Sequence, residues 1–412
     1  MRVLFLNQFF WPDSSATSQL LTDLARNLVE RGHEVAVICA DGVYAAGELD
    51  NPPQVHIERV KALPFVRGKV GRILSYLSFY VLAFFRALSL PKPDVVVSLT
   101  TPPLISLVGS FVKALRGSRH FIWEMDVYPD VAIDLNYIQA GGLADRVAGS
   151  IADFSRQHAD GILALGDCMR ERLIRRDIDP SKILVTQNWA DASAIEPAPY
   201  RTDGHDLVVL YSGNLGLAHD LETIQGAIRT LKHDSQVRFA FVGGGARRKE
   251  LSSFLARENI TSVELRDYAP RANLGVSLSL GDIGLVTQQN VCCGSVVPSK
   301  VYGILAAGRP VLFIGPAAAT PALIIERFGC GWQVDCGDVV GLSRLLRDLA
   351  GNPAEVREAG QRARNALLEH FDLPLGVQRI TRILEYSPTD VIAHQRIESV
   401  SEAANAERRR AA

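Results

Sequence analysis

The residues best equipped for chemistry are a lysine preceded by proline and serine, Pro298-Ser299-Lys300. Pro298 suits a first helical position, where an absent N–H costs nothing. Free N–H groups and the helix dipole at such a start favour an anion, and the Lys300 ammonium adds a full charge. Two glycine turns point the same way, Gly213-Asn214-Leu215-Gly216 and Gly243-Gly244-Gly245. Glycine lets backbone amides approach a phosphate closely. One feature alone reads equally well as an ordinary βα turn. Three in one region, with a lysine, predict a diphosphate or nucleotide site. Neither GxxxxGK[ST] nor GxGxxG with its acidic partner occurs, so kinase and dehydrogenase readings fall. Near the chain start, Ser14, Ser15, Thr17 and Ser18 can cap a helix or hold a phosphate. Glu124, Asp126 and Asp130 cluster where a strand ends. They suit sugar hydroxyls or a developing cation, or are loop carboxylates in water.

The elements that must position these residues are of α/β type. Val3–6 and Val35–38 are short apolar runs flanking a helix with Leu20, Leu21, Leu24 and Leu28 on one face. That is a βαβ opening and implies a parallel sheet. Strand-like runs recur at 94–99, 120–123 and 183–189. Residues 190–206 have the small, proline-bearing composition of a linker. The pattern restarts at 207–211, 237–242, 281–286 and 311–314. Two βαβ domains facing across a cleft follow: 1–189, then 207–372 after the 190–206 linker. A helix over 373–386 and a polar tail over 387–412 complete the chain.

Composition narrows the class. With 412 residues, 47% hydrophobic and 22% charged, the chain is long enough for two globular domains. A net charge of −1 gives no global basic field, so no nucleic-acid partner is expected. The six cysteines show neither metal-site spacing nor disulfide density and read as reduced, in a cytoplasmic compartment. The adjacent Cys292-Cys293 reads as two small loop residues. Residues 73–90, ILSYLSFYVLAFFRALSL, follow Arg67, Lys69 and Arg72. The run is apolar nearly all round and fits two settings, a buried core helix or an interfacial helix against anionic lipid.

Six segments carry a family resemblance: SQLLTDLARNLVERGHEVAVI, PDVVVSLTTPPL, WEMDVYPD, YSGNLGLAHDLETI, FVGGGARRKEL and VVPSKVYGILAAGRPVLFIG. The chain resembles the retaining nucleotide-sugar glycosyltransferases of GT-B fold, glycosyltransferase family 4. It is most similar to their bacterial colanic-acid, capsule and O-antigen branch. The resemblance implies two Rossmann-like domains, with a nucleoside diphosphate sugar as donor on the C-terminal one. It implies neither a cofactor nor a metal. Lys300 would neutralise the diphosphate leaving group together with the amides of the turn that holds Pro298, Ser299 and Lys300, and Gly213, Asn214, Gly216, Gly243 and Gly244 would face the phosphates. Tyr268 would lie by the base and Asp126 by the reacting sugar, with Ser15 in place of N-terminal glycines. The family's E-x7-E glutamates fall on Ser295 and Gly303, leaving Tyr302 or main chain for the ribose. His219 takes the place of a basic residue, as a weaker phosphate donor or an ordinary surface histidine. The implied reaction transfers an N-acetylhexosamine or deoxy-aminosugar to a polyprenyl-diphosphate-linked saccharide at the inner membrane face. A 2-epimerase of the same fold and a catalytically degenerate scaffold are the rivals.

Overall fold

The computed structural model describes residues 1–42, 52–64, 68–200, 206–268 and 273–386. Arg67, residues 201–205 of the linker and the 387–412 tail lie outside them.

In chain order the first half contains β1 (Arg2–Leu6), α1 (Ala16–Glu30), β2 (Glu34–Ala40), β3 (His56–Val60), α2 (Lys69–Ser89), β4 (Val95–Ser98) and α3 (Ser106–Arg116). It continues with β5 (Arg119–Glu124), α4 (Asp130–Asp134), α5 (Leu143–His158), β6 (Gly161–Ala164), α6 (Asp167–Ile174) and β7 (Ile183–Val185). Its seven strands are all parallel, in the order β3-β2-β1-β4-β5-β6-β7. The inner strands are covered on both faces, which is why they read as unbroken apolar runs.

The second half contains β8 (Leu207–Ser212), α7 (Glu222–Leu231), β9 (Val237–Val242), α8 (Arg248–Arg257), β10 (Val263–Arg266), α9 (Leu274–Leu278) and β11 (Ile283–Thr287). Then come α10 (Lys300–Ala306), β12 (Val311–Ile314), α11 (Thr320–Phe328), β13 (Gly331–Val334), α12 (Val339–Ala350) and α13 (Pro353–Ala366). Its sheet is parallel in the order β10-β9-β8-β11-β12-β13. In both sheets the order reverses beside the first strand, and ligands bind outside the carboxyl ends at such a switch point.

The last helix, α14 (Leu373–Glu385), returns to the first half. Val377, Ile380, Ile383 and Leu384 join the core formed by β1 and α1. The two crossings of the chain lie side by side: Ala190 N–H donates to the Phe371 carbonyl (3.2 Å), and Leu373 N–H to that of Ala190 (3.0 Å).

Helix α2 is not a buried core helix. Ser75, Phe79, Ala83 and Ala87, four residues apart, form a narrow inner stripe. Ile73, Leu77, Val81 and Phe85 on the other side are 56%, 52%, 55% and 64% exposed. Among the described residues, Gly71–Ser89 is long and apolar enough to cross a membrane by length and composition. Arg86, within that run, pairs with Glu58 at 2.6 Å.

Candidate active site between the two sheets

The carboxyl ends of β8 and β9 build the floor. Gly213 and Gly243 have φ of +123° and +122°, which side chains rarely adopt. The two turns interleave: a Cβ on Gly243 would collide with the Gly213 carbonyl, and one on Gly213 would lie 2.8 Å from Lys300 Cε. Leu215 N–H donates to the Gly244 carbonyl at 2.7 Å, locking one turn to the other. Tyr268, 61% exposed, stands at the rim, with its ring 3.1 Å from where a Gly244 Cβ would be. Asn214 is exposed, and its carbonyl accepts from the Tyr211 hydroxyl at 2.7 Å.

Lys300 is the first residue of α10 and crosses beneath Gly213. Its ammonium lies 3.4 Å from His219 Nε2 and 5.3 Å from the Tyr211 ring centre. No carboxylate among the described residues forms a salt bridge with it. Burial lowers its pKa from 10.5 to about 8. His219 is fixed by its other nitrogen: Nδ1 lies 2.8 Å from the Thr287 carbonyl and must donate to it. Burial first, then Lys300, lowers its pKa to about 4, so the ring is neutral. In that tautomer Nε2 carries a lone pair toward Lys300. The donor presented to an anion is therefore the lysine, not the histidine.

The loop from β11 to α10 closes the site against the first half. Gln288 Nε2 donates to the Cys292 and Val296 carbonyls, both at 2.8 Å. Val127 N–H donates to the Ser295 carbonyl at 2.9 Å, and Asp126 forms an antiparallel bridge with Val296. Arg172 of α6 reaches the Val291 and Cys293 carbonyls at 3.4 Å. The open cleft beside this loop holds a cavity of about 190 Å³, and Asp126, Asn188, Gln288, Pro298, Ser299 and Lys300 are among its lining residues. Burial, with the Glu124 charge behind it, pushes the Asp126 carboxyl up to about 6.

Several expected site residues lie elsewhere. Tyr302 is 1% exposed and packs edge-on against Phe371 at 5.4 Å, because the α10 helical period turns it into the core. Its side chain does not reach a ribose. Ser295 is fully buried and its hydroxyl donates to the Cys292 carbonyl at 3.2 Å, so it holds the loop rather than a ligand. Ser15 Oγ is engaged with Ser18 Oγ at 3.0 Å; Ala16 and Thr17 of the first α1 turn line the cavity instead. Of the three clustered carboxylates only Asp126 faces the cleft. Glu124 pairs with Arg156 (2.6 Å), and Asp130 with Arg172 and Arg176 (both 2.7 Å). Asn188, Thr287 and Gln288 were missed by sequence reasoning, although all three lie at or just after the carboxyl ends of strands, the place where ligands bind in such sheets.

Residues 16–189 match the family model described as a glycosyl transferase 4-like domain. WbjE of Pseudomonas aeruginosa, named as a glycosyltransferase, is 26% identical over 299 residues, 69% of this chain and 74% of that protein. WcaI of Escherichia coli K12, named as a glycosyl transferase of colanic acid biosynthesis, is 24% identical over 356 residues, 80% of this chain and 86% of that protein. The fold is shared with Anabaena HepE solved with UDP-glucose: TM-score 0.70, 16% identity, 93% of this chain and 99% of the other. The first half therefore matches a glycosyl transferase 4-like domain, and the chain as a whole has the two-domain GT-B fold.

In this fold the second sheet carries the cation and the glycine turns, and the first sheet contributes Asp126. The bridge from Asp126 to Val296 brings the two together.

Proposed function

We propose that this glycosyltransferase moves a sugar from a nucleoside diphosphate donor onto a polyprenyl-diphosphate-linked saccharide during bacterial surface polysaccharide synthesis. The transferred sugar is an N-acetylhexosamine or deoxy-aminosugar carried by uridine diphosphate. The observation that carries the reading is Lys300, a largely buried ammonium with no carboxylate partner among the described residues, set beneath two interleaved glycine turns. As the bond from the sugar's anomeric carbon to the diphosphate oxygen breaks, negative charge grows on the diphosphate. Lys300 stabilises that charge more in the transition state than in the bound donor. The anomeric carbon acquires oxocarbenium character, which the ionised Asp126 carboxylate stabilises from the other wall. The acceptor hydroxyl enters on the face the diphosphate leaves, passing its proton to a departing phosphate oxygen, and configuration is retained. Solved structures of the same fold hold UDP and UDP-glucose, which supports the donor class.

The relative named for colanic acid synthesis supports the acceptor class. The exposed apolar face of α2 suits a peripheral place on the cytoplasmic side of an anionic membrane. The α2 helix is anchored at the cleft end of β1, where Gln8 Nε2 donates to Ser75 Oγ at 3.3 Å.

The test is transfer by purified protein from a panel of nucleoside diphosphate sugars to a lipid-linked acceptor, with anomeric configuration read by NMR. Retained linkage is expected. Epimerised donor formed without acceptor would establish the epimerase, and absence of calorimetric donor binding would establish the scaffold.

A further inference from the structure

Cys168 and Cys293 meet across the boundary between the two halves. Cys168 lies in the first turn of α6, just after the carboxyl end of β6; Cys293 lies in the loop leading to Lys300. The Cys168 sulfur is 3.3 Å from Thr320 Oγ1, at the start of α11 in the second half. The Cys293 thiol lies near enough to the Cys168 sulfur to shift its proton affinity. Contact is equally close along the backbone. A Cβ on Gly294 would collide with the Cys168 carbonyl, and one on Gly166 with Thr320 Oγ1. Cys293 also packs against the hydrophobic core that contains Cys168. Neither cysteine is in a disulfide.

We propose that Cys168 and Cys293 form a peroxide-responsive thiol pair whose disulfide clamps the Lys300 loop to the first half and holds the donor cleft shut. The chemistry is arranged for it. The neighbouring Cys293 and the Thr320 hydroxyl lower the Cys168 pKa while Cys293 is raised, so Cys168 is the thiolate of the pair. Burial raises Cys39, Cys292, Cys330 and Cys336 instead. The Cys168 thiolate attacks one oxygen of hydrogen peroxide, giving a sulfenic acid and hydroxide, which takes a proton to become water. The Cys293 sulfur then attacks the Cys168 sulfur, the S–O bond breaks, and a second water leaves with the Cys293 proton. Two thiols are oxidised, one peroxide is reduced to two waters, and a thiol reductant reverses the bond.

The functional effect follows from cleft size and rests on the donor reading above. A cavity of about 190 Å³ is below the ~300–1,000 Å³ of typical ligand sites. Its lining comes from both halves, Thr17 and Asp126 from the first and Ser299 and Lys300 from the second, so a covalent link from position 168 to position 293 fixes the width of the cleft.

The experiment treats the full chain with hydrogen peroxide, blocks remaining thiols with an alkylating agent and digests with trypsin. Mass spectrometry then looks for peptide 157–170 linked to peptide 272–300. The link is expected in wild type and in Cys292→Ser, and absent in Cys168→Ser and Cys293→Ser. Oxidised wild type should show a higher melting temperature and weakened donor binding, both reversed by dithiothreitol, while Cys293→Ser keeps its donor affinity through the same treatment. Absence of the linked peptide, or a link made through Cys292, overturns the pairing. A link that leaves donor affinity unchanged overturns the clamp. The peptide and melting readouts do not depend on transferase activity, so failure of the proposed reaction is distinguishable from failure of the thiol pair.

Discussion

Replacing Lys300 with methionine should make the empty protein more stable and the enzyme much slower. Burial lowers the Lys300 pKa from 10.5 to about 8. At about 1.36 kcal/mol per pKa unit, holding this ammonium at neutral pH costs the fold about 3 kcal/mol. The sign follows from proton linkage. Between pH 8 and 10.5 the unfolded lysine is still protonated while the folded one is not, so the unfolded state binds more protons and stability rises with pH. Below pH 8 the full cost is present. Lys300→Met removes it, so the variant should melt higher at pH 7, and its stability should lack the increment gained by wild type between pH 8 and 10. Loss of one such preorganised charge should lower kcat about 10²–10³-fold. The assay pairs thermal melting at pH 7 and pH 10 with kcat/KM on a lipid-linked acceptor. A variant that melts lower at pH 7, or turns over at the wild-type rate, refutes a desolvated catalytic cation.

Four further outcomes are expected. The pH profile of kcat/KM should rise through about 6 as Asp126 ionises and fall above about 8 as Lys300 loses its charge; Asp126→Asn should remove the rise and leave the fall. Tyr302→Phe should leave donor KM unchanged and cost no more than about 1 kcal/mol in denaturant unfolding, because the ring fills core. Gly243→Ala should abolish donor binding by calorimetry, since its Cβ cannot coexist with the Gly213 carbonyl in this turn. A triple change of Leu77, Val81 and Phe85 to glutamine should alter stability by no more than about 0.5 kcal/mol per site, yet abolish flotation with anionic liposomes.

Both parallel sheets were legible because buried parallel strands leave unbroken apolar runs between helical patterns, as in β2 and β12. Lys300 and the glycine turns were legible because their chemistry is local to a few consecutive residues. Tyr302 was misplaced because only the orientation of α10 against Phe371 decides which way its ring points. The roles of Glu124 and Asp130 were hidden because their arginine partners lie 32 to 46 residues away. The exposure of α2 was undecidable from composition, since a helix apolar on all sides fits core and interface alike. The Cys168–Cys293 approach joins positions from opposite halves, and no local pattern announces it.

The two side-by-side crossings at Ala190 and Phe371–Leu373 have a mechanical consequence. A single tether lets two bodies slide, twist and swing; two adjacent tethers act like a door hung on two hinges and favour rotation about one axis. Opening should therefore be largest at the cleft mouth and smallest beside Ala190. The same arrangement governs modular exchange. A donor half grafted from another enzyme needs two splice points, one in 190–206 and one before α14. A chimera cut only once would leave the first half's core without Val377, Ile380, Ile383 and Leu384 in the positions they fill here.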